Sequence, residues 1–302
     1  MKKKKNNIFT FIIVLIFLLV SNSINSYQKE YDKITKENSY NLIEKDNLLK
    51  IHYINVGQGD SIFIEISNNQ TMLIDGAEAY FEKTIIDYIK NLGYNKIDYV
   101  IATHPHTDHI GGLSQIINTF DIDKIYMPKV VSTSKTYENL LKTIKDKGLK
   151  INTAKANVNI IDNNDLKIDI IAPNNESYSS LNNYSAVLKI TYKDRSFLFM
   201  ADAEKISENE ITADIKADVI KVGHHGSNTS SSLEFIKRVN AKYAIISVGK
   251  NNYNHPNKEV IDRFKNMGTK IYRTDLNGTI IVSTDGYNIN IKSEVENESN
   301  NW

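Results

Sequence analysis

Three of the chain's seven histidines fall within six residues, in Thr103-His104-Pro105-His106-Thr107-Asp108-His109, directly after the apolar run Tyr99-Val100-Ile101-Ala102. Imidazole nitrogens and carboxylate oxygens are the donors that bind first-row divalent metals, and four placed this close supply most of a two-metal site. A strand that ends in such a loop sends successive side chains to opposite sides, so alternate ligands serve different ions. A polar surface loop with chance histidines is the alternative, and the clustering argues against it. Any fold for this chain must therefore place that loop at the end of a buried strand, beside partners from elsewhere.

The partners are sought along the chain. Ile51 to Val56 and Ser61 to Ile66 alternate as strands around Gly57-Gln58-Gly59-Asp60, and Thr71 to Ile74 is a third strand ending at Asp75-Gly76. His52 reads as a sheet side chain rather than a ligand. Apolar residues recur at helical spacing from Phe81 to Leu92, and Gly93 stops that helix. Ile97 to Ala102 delivers the histidine loop, and Leu113 to Phe120 follows it as a helix. Tyr137 to Lys147 is a further helix, and Val158 to Ile161 pairs with Leu166 to Ile171 across Asn163-Asn164. Two later strands also end in polar loops: Arg195 to Met200 before Ala201-Asp202, and Asp218 to Val222 before His224-His225-Gly226-Ser227. Asp202 alone would read as a helix cap or as a ligand. A strand at Ala244 to Val248 leads to a loop with Asn252, Tyr253 and His255, after which Pro256 is expected to open a helix to Met267. Lys270 to Arg273, Thr279 to Val282 and Tyr287 to Ile291 close the domain as strands joined at Asn277-Gly278 and Asp285-Gly286. No Gly-rich phosphate loop is present.

Asn55-Val56-Gly57-Gln58-Gly59-Asp60, Leu73-Ile74-Asp75-Gly76, the His-x-His-x-Asp-His stretch, Ala201-Asp202, Lys221 to Ser227 and Asn252 to Pro256 occur in that order. The set resembles the metallo-β-lactamase superfamily and, within it, the branch containing the hydrolase domain of the ComEC DNA-uptake proteins. The resemblance runs from about Leu49 to about Ile291. It implies a four-layer αββα sandwich of the α/β class, and the two successive runs of strands and helices agree with that rather than with a Rossmann domain. It also implies a metal set of His104, His106, Asp108, His109 and Asp202, with Asp202 bridging two ions. His224 and His225 are both metal candidates: the adjacent rings point to different sides, so one binds metal and the other faces substrate, with His225 favoured as the ligand. Asp75 is expected to hydrogen-bond behind the ligand loop and Asp60 to face the site. Asp108 and His255 are the catalytic candidates, and Tyr253, Asn252, Ser227 and Arg273 the substrate-binding ones. Many members carry a third ligand histidine where this chain has Asn182-Asn183-Tyr184-Ser185, and there is no histidine between His109 and His224. The resemblance thus implies two divalent ions, zinc or manganese, with one site weaker and more tolerant of oxygen donors.

The ends carry a different message. Lys2 to Lys5, an apolar run from Ile8 to Val20 and Ser21-Asn22-Ser23 read as a signal peptide or uncleaved anchor over residues 1–26, which places the protein outside the cell, secreted or tethered. Residues 27–48 are a polar linker, 49–292 the hydrolase-like domain and 293–302 a polar tail. The chain has no cysteine, which removes disulfides, thiolate ligands and a lipoprotein anchor. Removing the four leader lysines from a chain of net charge +1 leaves it at −3, so no basic surface announces nucleic acid. DNA as substrate rests on the resemblance. The expected activity is hydrolysis of a phosphodiester or other small anionic substrate by metal-activated water. The alternatives are a hydrolase of a small ester, lactone, phosphorylcholine or β-lactam, and a non-catalytic surface protein with a degenerate site. Membrane contact is expected only through the N-terminal segment.

Overall fold

The structure is a computed structural model that describes residues 48–295. The leader, nearly all of the linker and the tail beyond Val295 lie outside the described residues. The first sheet takes β1 (Leu49–Tyr53), β2 (Ile62–Ile66), β3 (Gln70–Ile74), β4 (Lys96–Ile101), β5 (Asp121–Met127) and β6 (Ile151–Thr153). The second takes β7 (Val158–Asp162), β8 (Leu166–Ala172), β9 (Val187–Tyr192), β10 (Arg195–Phe199), β11 (Val219–Lys221), β12 (Tyr243–Ile246) and β13 (Lys270–Arg273). The chain then returns to the first sheet with β14 (Ile280–Thr284) and β15 (Ile289–Ser293). The spatial orders are β15-β14-β1-β2-β3-β4-β5-β6 and β13-β12-β11-β10-β9-β8-β7.

Between the strands run α1 (Glu82–Asn91), α2 (Thr107–Ile110), α3 (Leu113–Thr119), α4 (Lys135–Asp146), α5 (Lys205–Glu210), α6 (Leu233–Val239), α7 (Lys258–Asn266) and α8 (Thr274–Asn277). Three apolar clusters separate the layers. Ile51, Ile64, Met72 and Ile101 meet Ile168, Leu188, Phe199 and Ile245 between the sheets. On one outer face Ile85, Ile89, Ile116 and Leu140 cover Phe63, Leu73 and Val100. On the other, Phe235, Ile236, Val260 and Phe264 cover Leu198, Ile220 and Ile246. The strands read as continuous apolar runs because both faces are buried: Phe197 and Phe199 point to the inner cluster and Leu198 to the outer one. This is the expected αββα sandwich.

Strands β3 to β6 run parallel, as do β10 to β13. Ligands of parallel sheets gather at the carboxyl ends of strands. Here Asp75 follows β3, His104 to His109 follow β4, Asp202 follows β10, and His224 and His225 follow β11.

Two local expectations are corrected. Asn277-Gly278 does not make a hairpin: α8 intervenes, and the chain crosses from β13 in one sheet to β14 in the other. Pro256 does not open α7 either, because the Asn257 side chain caps that helix by accepting from the Glu259 amide (2.9 Å). At the far end, Glu294 and Val295 still donate to the carbonyls of Thr279 and Asn277.

His52 lies in the sheet, with Nδ1 2.8 Å from the Tyr88 hydroxyl and Nε2 2.9 Å from Glu65. Burial pushes the Glu65 carboxyl up, but hydrogen bonds from His52 and Tyr94 and the nearby Lys50 outweigh it and hold it at about 2. A carboxylate depressed in the folded state stabilises fully above its unfolded value, and that contribution fades as pH falls through its folded value. Glu65→Gln is therefore expected to cost about 2 kcal/mol at neutral pH. Its deficit should shrink on acidification from about pH 5 toward pH 2, read from urea melts of both proteins.

Candidate metal centre

Asp75 organises the loop after β4. The Thr103 amide donates to its Oδ1 (2.8 Å), the Thr103 hydroxyl donates to its Oδ2 (2.6 Å), and His109 Nδ1 lies 2.7 Å from Oδ2. One buried carboxylate thus grips both ends of the loop. The backbone reinforces it, with Asp75 N donating to Ile101 O and Gly76 N to His109 O. Gly59 is required on the other side: its φ is +130° and an added Cβ would lie 2.4 Å from the Asp108 carbonyl oxygen. Asp75, Ala77, Ala201, His224 and His225 all adopt left-handed φ without being glycine. Each costs on the order of 1–3 kcal/mol, and such residues collect where surrounding structure enforces a functional geometry.

Two groups of donors share Asp202, and Asp60, Asp75 and His109 form a third without it. Asp202 Oδ1 lies 3.2 Å from His109 Nε2 and 3.5 Å from His225 Nε2, and Asp108 Oδ2 lies 3.3 Å from His225 Nε2. Asp202 Oδ2 lies 3.8 Å from His104 Nε2, which is 3.1 Å from His106 Nδ1. Within each group, Asp108-His109-Asp202-His225 and His104-His106-Asp202, the ligand atoms all come within 4.8 Å of one another. His109 Nε2, His225 Nε2 and Asp202 Oδ1 are buried without hydrogen-bond partners among the described residues. Unpartnered donors converging in a buried pocket are what a cation requires, so the residues fit a divalent ion. The far ring nitrogens are already used. His225 Nδ1 sits 2.9 Å from the Ser247 carbonyl, which can only accept, so Nδ1 carries the proton and Nε2 presents its lone pair.

Charge organises the same atoms. Burial pushes the His109 imidazole down, but the carboxylates of Asp202, Asp108 and Asp75 outweigh it and hold it well above its ordinary value. Burial raises Asp202, and His109, His225 and His104 reverse that and hold it well below the usual carboxylate range. Asp108 is likewise held low, by His109 and His225 against burial. His104 moves the other way: burial, then the neighbouring His109, pushes it down.

The remaining candidates are placed unequally. His224 is outside both donor groups, with Nε2 3.7 Å from Asp202 Oδ2 and Nδ1 3.1 Å from the Thr229 hydroxyl. Ser227 stands behind it, its hydroxyl 3.1 Å from that of Thr229. The His255 ring lies 5.2 Å from His224 and 5.8 Å from Tyr253, and Tyr253 is 72% exposed. Burial, then His224 and His225, lowers His255 to about 4. Asn252 is exposed on the same loop. Arg273 is not brought to the site: its guanidinium is held by Asp275 at 3.0 and 2.6 Å. Asp60 does reach the centre, with Oδ1 3.5 Å from His225 Nδ1 and Oδ2 ion-paired with Lys221.

At the place of the third histidine, Ser185 accepts from the Asp202 amide (3.1 Å) and Asn183 is bound to Glu204. The Asn182 amide donates to Glu204 (3.4 Å), and its buried Oδ1 has no partner among the described residues. Two contributors escape the sequence reading. The Ser247 carbonyl is backbone and carries no side-chain signature. Lys221 does carry a signal, since a lysine inside the apolar strand Val219-Ile220-Lys221-Val222 demands a buried partner.

Asp75→Asn keeps the size of the side chain and removes its charge from His109. Affinity for zinc or manganese should fall roughly 10- to 100-fold, measured by competition with a chromophoric chelator.

The model of the metallo-beta-lactamase superfamily matches residues 54–250. The chain is 32% identical over 252 residues to ComE operon protein 3 of Bacillus subtilis (strain 168), covering 76% of this chain and 32% of that protein. It is 25% identical over 229 residues to the competence protein ComA of Neisseria gonorrhoeae, covering 74% and 30%. The chain thus spans about a third of the length of the curated relatives it matches. Among solved structures, the metallo-beta-lactamase fold protein YhfI of Bacillus subtilis superposes with a TM-score of 0.52 at 14% identity, covering 78% of this chain and 99% of that one.

Proposed function

The chain belongs to the metallo-beta-lactamase superfamily, in its ComEC-type branch, and from that membership and the site geometry we propose that it is a metal-dependent phosphodiesterase that cuts nucleic acid. One observation carries the reading: a single buried carboxylate, Asp202, offers one oxygen to each of two donor groups. Displacement at phosphorus is served by such a pair of sites, which steady the attacking and the leaving oxygen together. Asp108, His109, His225 and Asp202 would hold one ion, and His104, His106 and Asp202 the other, more weakly for want of a third imidazole. Zinc or manganese suits that mixture of nitrogen and oxygen donors. What divalent ions supply there, when bound, is water ionisable near neutral pH and compensation of charge on the phosphate.

The chain's own groups do the rest. Asp108 stays ionised, and its carboxylate would orient a water by accepting a hydrogen bond from it. His255 is neutral near pH 7, so it serves as an N–H donor to a developing oxyanion rather than as an imidazolium acid. His224, braced by Thr229, faces the substrate side. The leader at residues 1–26 supports export, as a secreted or outward-facing tethered protein, with membrane contact through that segment alone. Among the described residues no helix is long and apolar enough to cross a membrane.

The net charge of −3 left on the chain without its leader lysines favours a second reading, hydrolysis of a small ester, lactone, phosphorylcholine or β-lactam. One assay separates the two. The protein supplied with Mn²⁺ or Zn²⁺ is incubated with single-stranded DNA, bis-p-nitrophenyl phosphate, a p-nitrophenyl ester and nitrocefin. Cleavage of the first two is expected. Turnover of the ester or nitrocefin with both phosphodiesters intact would replace the proposal with the second reading.

A further inference from the structure

Lys221 has a side chain with 0% exposure in the middle of the second sheet, between β10 and β12, three positions before His224. Its ammonium pairs with Asp60, itself 1% exposed, in the connection between β1 and β2 of the first sheet. The contact therefore crosses from one sheet to the other beneath the metal centre. Each partner is tied to a different half of that centre. The Asp60 amide donates to the Asp108 carbonyl (3.1 Å), and its carbonyl accepts from Ala77 (2.9 Å), so Asp60 moves with the loop bearing Asp108 and His109. Lys221 lies in register with Phe199 and Ile245, Val222 donates to Ile245, and His224 donates to Ala201, so Lys221 moves with the segments bearing Asp202 and His225.

Burying two charges costs several kcal/mol, and apolar side chains of similar size often serve stability as well or better. Stability alone is a weak reason for the pair. An apolar contact tolerates sliding, whereas an ammonium seated on a carboxylate has one position. The group containing Asp108, His109, Asp202 and His225 draws donors from both sheets, and it is the set that sliding would spoil.

We propose that Lys221 is a positioning residue for the metal centre: its ion pair with Asp60 fixes the Asp108–His109 loop against the Asp202–His225 side so that the four donors converge on one ion. The proposal rests on the reading of this site as a divalent-ion site.

The test uses the full chain, Lys221→Met and the double variant Asp60→Asn/Lys221→Met. Affinity for Zn²⁺ and Mn²⁺ is measured by chelator competition, and thermal stability is measured in excess EDTA. Lys221→Met leaves Asp60 buried without its ammonium, beside only the His225 and His109 imidazoles, so it should lose stability, and its ion affinity should fall at least tenfold. The double variant removes both charges. It should recover most of the ion-free stability, but its ion affinity should stay at least tenfold below wild type. If Lys221→Met fails to fold, the double variant alone carries the comparison. Recovery of affinity along with stability would make the pair a purely structural one and overturn the proposal. Unchanged affinity in Lys221→Met would do the same. A wild-type chain that binds neither ion overturns the metal-site reading and takes this proposal with it.

Discussion

Asp202→Ala is expected to lower metal-dependent turnover by roughly a thousandfold, the scale on which a lost charge-stabilising group is felt in a water-excluded site. Asp202 is the one residue common to both donor groups, and four imidazoles lie within 4 Å of its oxygens. No other single change touches both proposed ions. The layers themselves should survive, because Asp202 belongs to none of the three apolar clusters and caps no helix. The check is turnover of bis-p-nitrophenyl phosphate beside circular dichroism of the same sample. A folded variant that keeps wild-type activity would remove Asp202 from the mechanism.

Ion loading should raise the melting temperature by roughly 8–16 °C when free ion stands about a thousandfold above its dissociation constant. Binding only to the folded state at that excess stabilises by about 4 kcal/mol, and a domain of about 250 residues gains about 2–4 °C for each. Asp202 and His225 come from the other sheet, so an unfolded chain keeps only the His104 to His109 stretch and binds the ion far more weakly. The pocket holds His109, His225 and Asp202 atoms without hydrogen-bond partners among the described residues. Differential scanning fluorimetry with and without EDTA reads the shift. His225→Ala should lose most of it, since that residue belongs to the four-donor group, and His224→Ala should lose little. Equal losses in the two variants would contradict the assignment of donors.

The convergence of the candidate donors was legible because chemistry and periodicity coincide. A strand of both-faces-buried residues followed by histidine and aspartate announces itself at Ile101-Ala102 and again at Val222. The layering was legible for the same reason, since runs such as Phe197-Leu198-Phe199 serve two apolar clusters at once. What escaped was whatever depends on distance in space. Arg273 ends a strand, close to where the candidate donors fall, yet its side chain is spent on Asp275 two positions away. The turn at Asn277-Gly278 looks the same whether the chain doubles back or changes sheets. Lys221 and Asp60 are 161 positions apart, and nothing local to either identifies the other. The start of α7 was misplaced because proline and asparagine both mark helix beginnings, and the Asn257 side chain won that competition.

The return of the chain to its first sheet has a consequence for assembly. Leu49 to Tyr53 lie between Ile62 to Glu65 on one side and Ile280 to Thr284 on the other, so an early-made strand stays half-paired until nearly the last one described arrives. Closing so long a loop is slow, and few native contacts reward it until it closes. Emerging from a ribosome or a translocation pore amino end first, this domain would have its Asp75 and His104 to His109 segments in hand well before the sheet that holds them is complete. Its ion-binding capacity would then follow the arrival of Ile280 to Thr284 beside Leu49 to Tyr53.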